Sequence, residues 1–263
     1  MAALERFLEA VRRTRRERQT AAMERRLEQA AKRFFQQQRR TFGQGAGQAL
    51  TPGETPPANV FDQALESALD AGAPAMAAAV QTAVEASLLA GMTATVVDLG
   101  GIGISFSLQN PRALAYLREY GALRVTQINE TTRVEMRDLI VRMVEERATY
   151  DQVARAISAR WSEMAVGKPQ LHIDSRAHLI AVTEVGNAYE QGNQIVVQDM
   201  AGLGLAMEKH WLTVGDDRVS DGCAENEAAG WIPIDEPFPS GDDRPLRFPG
   251  CRCTTMYRRA GSG

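Results

Sequence analysis

All three cysteines of the chain fall within "DDRVSDGCAENEAAGWIPIDEPFPSGDDRPLRFPGCRC", residues 216–253. Thiolates bind soft metals and act as nucleophiles, so chemistry is sought here first. Cys251 and Cys253 sit one residue apart behind a Pro-Gly turn, and Cys223 stands alone upstream. A structural zinc site wants four thiolate or imidazole ligands, and the cysteines supply only three. Ser220 occupies the position where a C-x-x-C pair would place the fourth, and a neutral hydroxyl is a poor ligand. His210 is a substitute candidate, although it precedes a strand and a turn. The reading is no cofactor, with zinc open but short of a ligand. The other readings are burial as small apolar side chains and a disulfide after oxidation. A catalytic thiol needs a neighbouring base or positive charge. Arg252 adjoins both cysteines, but His172, His178 and His210 lie at no informative spacing.

The carboxylates are weaker signals. Glu225-Asn226-Glu227 is an E-x-E and Ser105-Phe106-Ser107 an S-x-S, a combination that superficially resembles ADP-ribosyltransferases. Both patterns are short and far apart, so an exposed helix start and a strand are the simpler readings. Asp216, Asp217 and Asp221 could hold a hard cation but lack a calcium-loop spacing. In a turn, Asp217 would accept bonds from backbone amides, and Arg218 would reach the "DEPFP" carboxylates. His172 and His178 do not share the i, i+4 face of a helical metal pair.

The elements that must position these groups read as α+β, with mainly helical N-terminal and central parts and a small irregular β unit at the C-terminus. Residues 1–42 form a basic amphipathic helical arm. Leu4, Phe7, Leu8 and Val11 recur at helical spacing, and Arg12, Arg13, Arg15 and Arg16 are interleaved with them. Residues 43–59 form a Gly/Pro-rich linker. Residues 60–200 form a helical region with one extended ribbon, in which Ile102, Ile104, Phe106 and Leu108 alternate with small residues. Within it, Pro74 breaks an alanine-rich helix. Asn110-Pro111 caps a helix to about Tyr120, and a separate helix covers about 130–147. Thr149-x-x-Gln152 is a capping box for a helix burying Val153, Ile157 and Trp161, and Asp174 caps a long helix to about Met200. Residues 201–263 form the β unit, with strands at "LAMEKHWLTV" and "CRCTTMYRR".

Composition limits the function classes. The chain carries 30 Lys/Arg and 33 Asp/Glu, but residues 1–42 hold 12 Lys/Arg against 5 Glu. A basic arm on an acidic body is therefore expected. No uninterrupted apolar run reaches membrane-spanning length, and charges from Glu5 onward do not suit a secretory signal. Three cysteines give no disulfide framework, so a reducing compartment is expected.

The linked residues Lys209-x-Trp211, Asp216-Asp217-Arg218-Val219, Cys223, Gly230, Ile232-Pro233, "DEPFP" at 235–239 and Pro249-x-Cys251-Arg252-Cys253 resemble the C-terminal signature of the phage Mu F-like head morphogenesis family. "VTEVGNAYEQGN" at 182–193 is similar to its T-E-x-x-x-A-Y-x-x-G helix through Thr183, Glu184, Ala188, Tyr189 and Gly192. "INETTRVEMRDLI" looks like the helix before it. Ser220 and Phe248 stand where the family often has cysteine and histidine. The resemblance implies a non-enzymatic minor head protein of a tailed phage, assembled in the host cytoplasm and resident in the virion. Its expected partner is the portal protein, the major capsid protein or the scaffolding protein, with DNA as a further candidate and no membrane segment. Glu184, Tyr189, Trp211, Asp217, Arg218, Cys223, Pro249, Cys251, Arg252 and Cys253 would form the structural motif. Leu4, Phe7, Leu8, Val11, Arg12, Arg13, Arg15 and Arg16 would meet the partner. The expectation includes no toxin or enzyme domain beyond Cys253, and an arm whose removal leaves the body folded. A toxin-type enzyme or a DNA-binding internal protein is the alternative.

Overall fold

The structure is a computed structural model and describes residues 2–47, 58–100, 106–166 and 175–261. Helix α1 runs from Ala2 to Gly47, because no proline or glycine interrupts it before Gly43. Residues 43–47, expected to belong to the linker, are the last turn of α1. Residues 48–57 lie outside the described residues, and a 3-10 turn follows at Ala58–Phe61. Helices α2 (Asp62–Asp70) and α3 (Ala73–Asp98) are separated at Ala71-Gly72, where Gly72 takes φ +77°. Pro74 falls in the first turn of α3, where a missing N–H costs little.

Helix α4 (Pro111–Glu145) corrects two expectations. Asn110 does cap it, its Oδ1 accepting from the Arg112 amide at 2.9 Å. The helix then continues past Tyr120 through the segment expected to separate two helices. One internal glycine, Gly121, costs only about 1 kcal/mol and no proline intervenes. The alternating pattern ahead of α4 gives no strand where it is described: Phe106 is in a loop and Leu108 in a turn, while Ile102 and Ile104 lie outside the described residues. Helix α5 (Tyr150–Val166) opens as expected, with Gln152 Oε1 accepting from the Thr149 amide at 2.7 Å. Asp174 lies outside the described residues, and α6 (Arg176–Gly202) has Ser175 Oγ accepting from the His178 amide at 3.1 Å.

The chain divides into two compact units. Unit 2 comprises Leu27–Val80 and Glu119–His178. Its core is aromatic and aliphatic: Phe34, Phe35, Phe42, Phe61, Leu65, Leu69 and Trp161 are all buried. The Phe42 ring lies 5.1 Å from Trp161 and 6.1 Å from Phe61, centroid to centroid. One buried amide organises this core. Gln38 Nε2 donates to the Leu69 carbonyl and to Asn129 Oδ1, both at 3.1 Å, and Gln38 Oε1 accepts from Trp161 Nε1 at 3.3 Å. The Leu69 carbonyl belongs to the last turn of α2, whose oxygens have no partner within the helix.

Unit 1 comprises Met1–Arg26, Gln81–Arg118 and Leu179–Gly263. Here α3 and α6 cross so closely that each needs a glycine. A Cβ on Gly91 would come within 2.0 Å of the Tyr189 carbonyl oxygen, and one on Gly192 within 2.1 Å of the Leu88 carbonyl oxygen. Thr95 Oγ1 donates to Asn193 Oδ1 at 2.9 Å beside this crossing. The sheet contains β1 (Met207–Leu212), β2 (Ile232–Pro233) and β3 (Thr254–Arg259) in the order β2-β1-β3, antiparallel throughout, with Trp211 opposite Thr255. Helix α7 (Asp221–Ala228) lies between β1 and β2 in sequence. The α+β expectation holds.

Taken with its polar interruptions, Asp62–Asp98 reaches a mean hydropathy of 1.3, enough by length and composition for a membrane crossing. Val84, Leu88, Met92 and Ala94 within it are nevertheless buried in the protein.

Candidate functional site

The three cysteines converge. Their sulfur atoms lie within 4.8 Å of one another, and Cys223 Sγ is 3.9 Å from Cys251 Sγ. Trp211 and Phe238 share their buried cluster, with Val219, Ile232, Leu246 and Phe248 packed around it. The Phe238 ring meets Trp211 edge-on at 5.1 Å. Hydrogen bonding to Cys251, with burial, pushes the Cys223 thiol up. For Cys251 the bond with Cys223 pulls down, but the bond with Cys253 and burial outweigh it and push the thiol up to about 11. Cys223 and Cys251 are therefore neutral thiols at neutral pH.

Polar contacts brace the loops around this cluster. Ser220 caps α7, its Oγ accepting from the Cys223 amide at 3.4 Å. Buried Asn226 donates from Nδ2 to Ser240 Oγ at 2.8 Å and accepts at Oδ1 from the Ser240 amide at 3.0 Å, which fixes the turn after Phe238. Lys209 Nζ donates to the Asp243 carbonyl at 2.9 Å and lies 4.8 Å from the centre of the Phe238 ring. Burial lowers its pKa, and the Asp243, Asp235 and Glu236 carboxylates oppose that shift. Arg252, between two inward cysteines, pairs outward with Asp216.

Helix α6 carries the second part of the site. Thr183 Oγ1 accepts from the Gly250 amide at 3.0 Å, holding the Pro-Gly turn ahead of Cys251. Glu190 is fully buried. It accepts from Thr254 Oγ1 at 2.6 Å, from the Thr255 amide at 3.2 Å and from Asn193 Nδ2 at 3.1 Å, and Arg16 Nε lies 3.4 Å away. Tyr189 Oη donates to Gln19 Oε1 at 2.9 Å. One helix thus holds the start of β3, the cysteine turn and the N-terminal part of α1.

This arrangement coincides with a known sequence family. Residues 134–256 match the family model described as Phage Mu protein F like protein. That stretch, just under half of the chain, is similar to the phage Mu F-like family. The family is one of tailed-phage head morphogenesis proteins. No curated protein and no solved structure matches the chain.

Within the Mu F-like region, the two positions expected from the resemblance to depart from the family pattern have other work. Ser220 caps α7, and Phe248 packs against the cysteine cluster. His210 is no nearer to completing a ligand set. Strand alternation sends it to the face opposite Trp211, where its ring lies 5.3 Å from Trp231. The turn role expected of Asp217 falls to Asp216, whose Oδ1 accepts from the Arg218 amide at 3.1 Å. Asp217 is exposed, and Arg218 Nε lies 4.0 Å from its Oδ1.

The E-x-E carboxylates are not a matched pair. Glu225 is exposed, whereas Glu227 accepts from the Thr213 amide at 3.0 Å, from Thr213 Oγ1 at 2.7 Å and from Arg13 at 2.9 Å. Ser105 lies outside the described residues. Ser107 lines a cleft of about 320 Å³ with Phe106, Asn110, Asp199 and Leu203, and neither Glu225 nor Glu227 borders it. His172 lies outside the described residues, and His178 Nδ1 is 3.0 Å from Glu28 Oε2 in unit 2.

The residues expected to meet a partner separate into two groups. Arg12 and Arg16 are buried in unit 1, Arg12 against Asp98 at 2.6 Å. Arg15 also pairs with Asp98, and Arg13 Nε donates to the Thr213 carbonyl at 2.7 Å. These four arginines brace the protein itself. Phe7 and Leu8 are exposed, Val11 is half-buried, and the side chain of Leu4 is outside the described set. Glu190, Asn193 and Asn226 went unsingled in the sequence. A carboxylate inside an otherwise alanine- and valine-rich helical face was the available signal for Glu190.

Proposed function

We propose that the chain is a minor head protein that docks on the portal vertex of a tailed phage during procapsid assembly, without catalysing a reaction. The observation that carries this reading is the Mu F-like match over residues 134–256, joined to a site made of mutual bracing contacts. Glu227, Asn226, Arg252 and Glu190 all spend their polar atoms on holding loops and strands. The docking contact is assigned to Phe7 and Leu8 on α1, which are 62% and 46% exposed. Several copies on a symmetric ring would make a weak apolar contact effective.

The arm is not removable as expected from the sequence. Leu27, Ala31, Phe34, Phe35 and Phe42 of α1 are core residues, so deleting residues 1–42 would unfold the protein rather than release a tether. The test is the full chain carrying Phe7→Glu and Leu8→Glu. In phage-producing cells the unaltered chain is expected in purified heads and in portal pull-downs. The double variant should keep its thermal transition and disappear from heads. Absence of the unaltered chain from heads that contain portal overturns the function. Normal incorporation of the double variant overturns the contact. A DNA contact would instead use the exposed Arg18, Arg25 and Arg26, and would appear as duplex binding that weakens steeply with salt.

A further inference from the structure

We propose that Cys223, Cys251 and Cys253 form a three-thiolate site for a single thiophilic d10 cation with a trigonal preference, Cu(I) in kind, rather than for tetrahedral zinc. The donors are gathered before any ion arrives. Two metal–sulfur bonds of about 2.3 Å at a tetrahedral angle separate the sulfurs by about 3.8 Å, and a trigonal angle separates them by about 4.0 Å. Cys223 Sγ and Cys251 Sγ are already 3.9 Å apart, and all three sulfurs lie within 4.8 Å. Closing on one ion therefore needs side-chain adjustments rather than movement of the loops.

Donor number decides between ions. Thiolates suit both zinc and Cu(I), but zinc in a closed structural site takes four protein ligands, and only three are gathered here. The position three residues before Cys223 is serine, and its oxygen is engaged with the α7 amide. Phe248 presents a hydrocarbon ring to the cluster, and His210 is on the far face of β1. All three sulfurs belong to buried residues, which leaves little room for water as a fourth ligand.

Trp211, in the same cluster, has its Nε1–H buried with no hydrogen-bond acceptor among the described residues. The Arg247 guanidinium packs over Gly222, so closely that a Cβ there would lie 2.8 Å from its Cζ. Loading exchanges three S–H protons for one cation, and those protons leave to solvent.

The test uses the full chain, reduced and kept anaerobic, with three free thiols verified by titration. Cu(I) is offered in competition with a chromophoric Cu(I) chelator, and Zn(II) in competition with a chromophoric zinc chelator. One equivalent of Cu(I) should be retained while the zinc chelator strips Zn(II). Cys253→Ser should weaken Cu(I) retention by about tenfold or more, since loss of even an outer contact to a ligand costs that much. Ser220→Cys should raise zinc retention by a similar factor while changing Cu(I) retention less. Failure to retain either ion overturns the proposal. So does tighter retention of zinc than of Cu(I) by the unaltered chain, or Cu(I) retention unchanged in Cys253→Ser. If that variant does not fold, the two titrations of the unaltered chain still decide.

Discussion

The two compact units solve the same problem with different materials. Unit 2 fills its interior with rings and branched chains around Trp161, admitting one amide, Gln38, whose polar atoms are all used. Unit 1 has few rings near its helix crossing and depends on close backbone approach and buried charge: Gly91 against Gly192, and Arg16 beside Glu190. Dispersion is graded and tolerates small volume changes, whereas a buried charge or a carbonyl about 2 Å from a would-be Cβ tolerates none. The Mu F-like match covers much of the stringent part, including α6 and the cysteine loops.

The largest loss is expected where the graded core is emptied outright. Trp161→Ala removes a fully buried indole that lies against Phe42 and bonds Gln38, and should cost about 3–5 kcal/mol by urea unfolding. If the ring core of unit 2 were loosely packed, the loss would fall below about 2 kcal/mol and the contrast between the units would fail. Next comes Gly192→Ala, which adds one methyl group. Its Cβ would meet the Leu88 carbonyl oxygen, a backbone atom that cannot swing aside, so a cost at or above the usual overpacking range of about 1–3 kcal/mol is expected. A neutral result in thermal unfolding would show that the helices separate easily, contrary to the tight crossing described here.

Glu190→Gln sharpens the comparison on its electrostatic side. The substitution keeps the shape but replaces a charge-assisted acceptor, and leaves the Arg16 guanidinium buried without its counter-charge. A loss of about 2–3 kcal/mol is expected, with faster amide exchange in β3 because Glu190 holds Thr254 and Thr255. Unchanged exchange at those two residues would remove Glu190 from its bracing role.

Much of this was legible beforehand, for local reasons. The caps at Asn110 and Thr149 and the strands around Trp211 and Tyr257 follow from short-range chemistry and period-two patterning. The length of α4 was missed because a polar stretch with one glycine looks like a break until tertiary packing supports it. The burial of Arg12 and Arg16 was missed for a related reason. Arginines at helical spacing look like a solvated face until their partners, Asp98 and Glu190, arrive from distant segments. At the site, the cysteines stood out by type, while Glu190 and Asn226 were ordinary residues whose importance comes from what folds over them.

The smallest expected effect lies at the rim of the cysteine loops. The Arg252 guanidinium holds the Asp216 carboxyl below the usual carboxylate range against the opposing cost of burial, with a lesser contribution from the Arg218 amide. A depressed folded-state pKa means the contribution is fully present above the unfolded carboxylate value. It is then lost as pH falls through the lower, folded value. Both side chains are about one-third exposed, at 33% and 34%, so solvent screening keeps the contribution under about 1 kcal/mol. Asp216→Asn should therefore lower stability slightly at neutral pH and flatten the decline between about pH 5 and the acid limit. A loss of several kcal/mol would mean that the outward pair, and not the buried thiol cluster behind it, holds the loops. Equal slopes for the variant and the unaltered chain across that acid range would remove the pair from the account of the site.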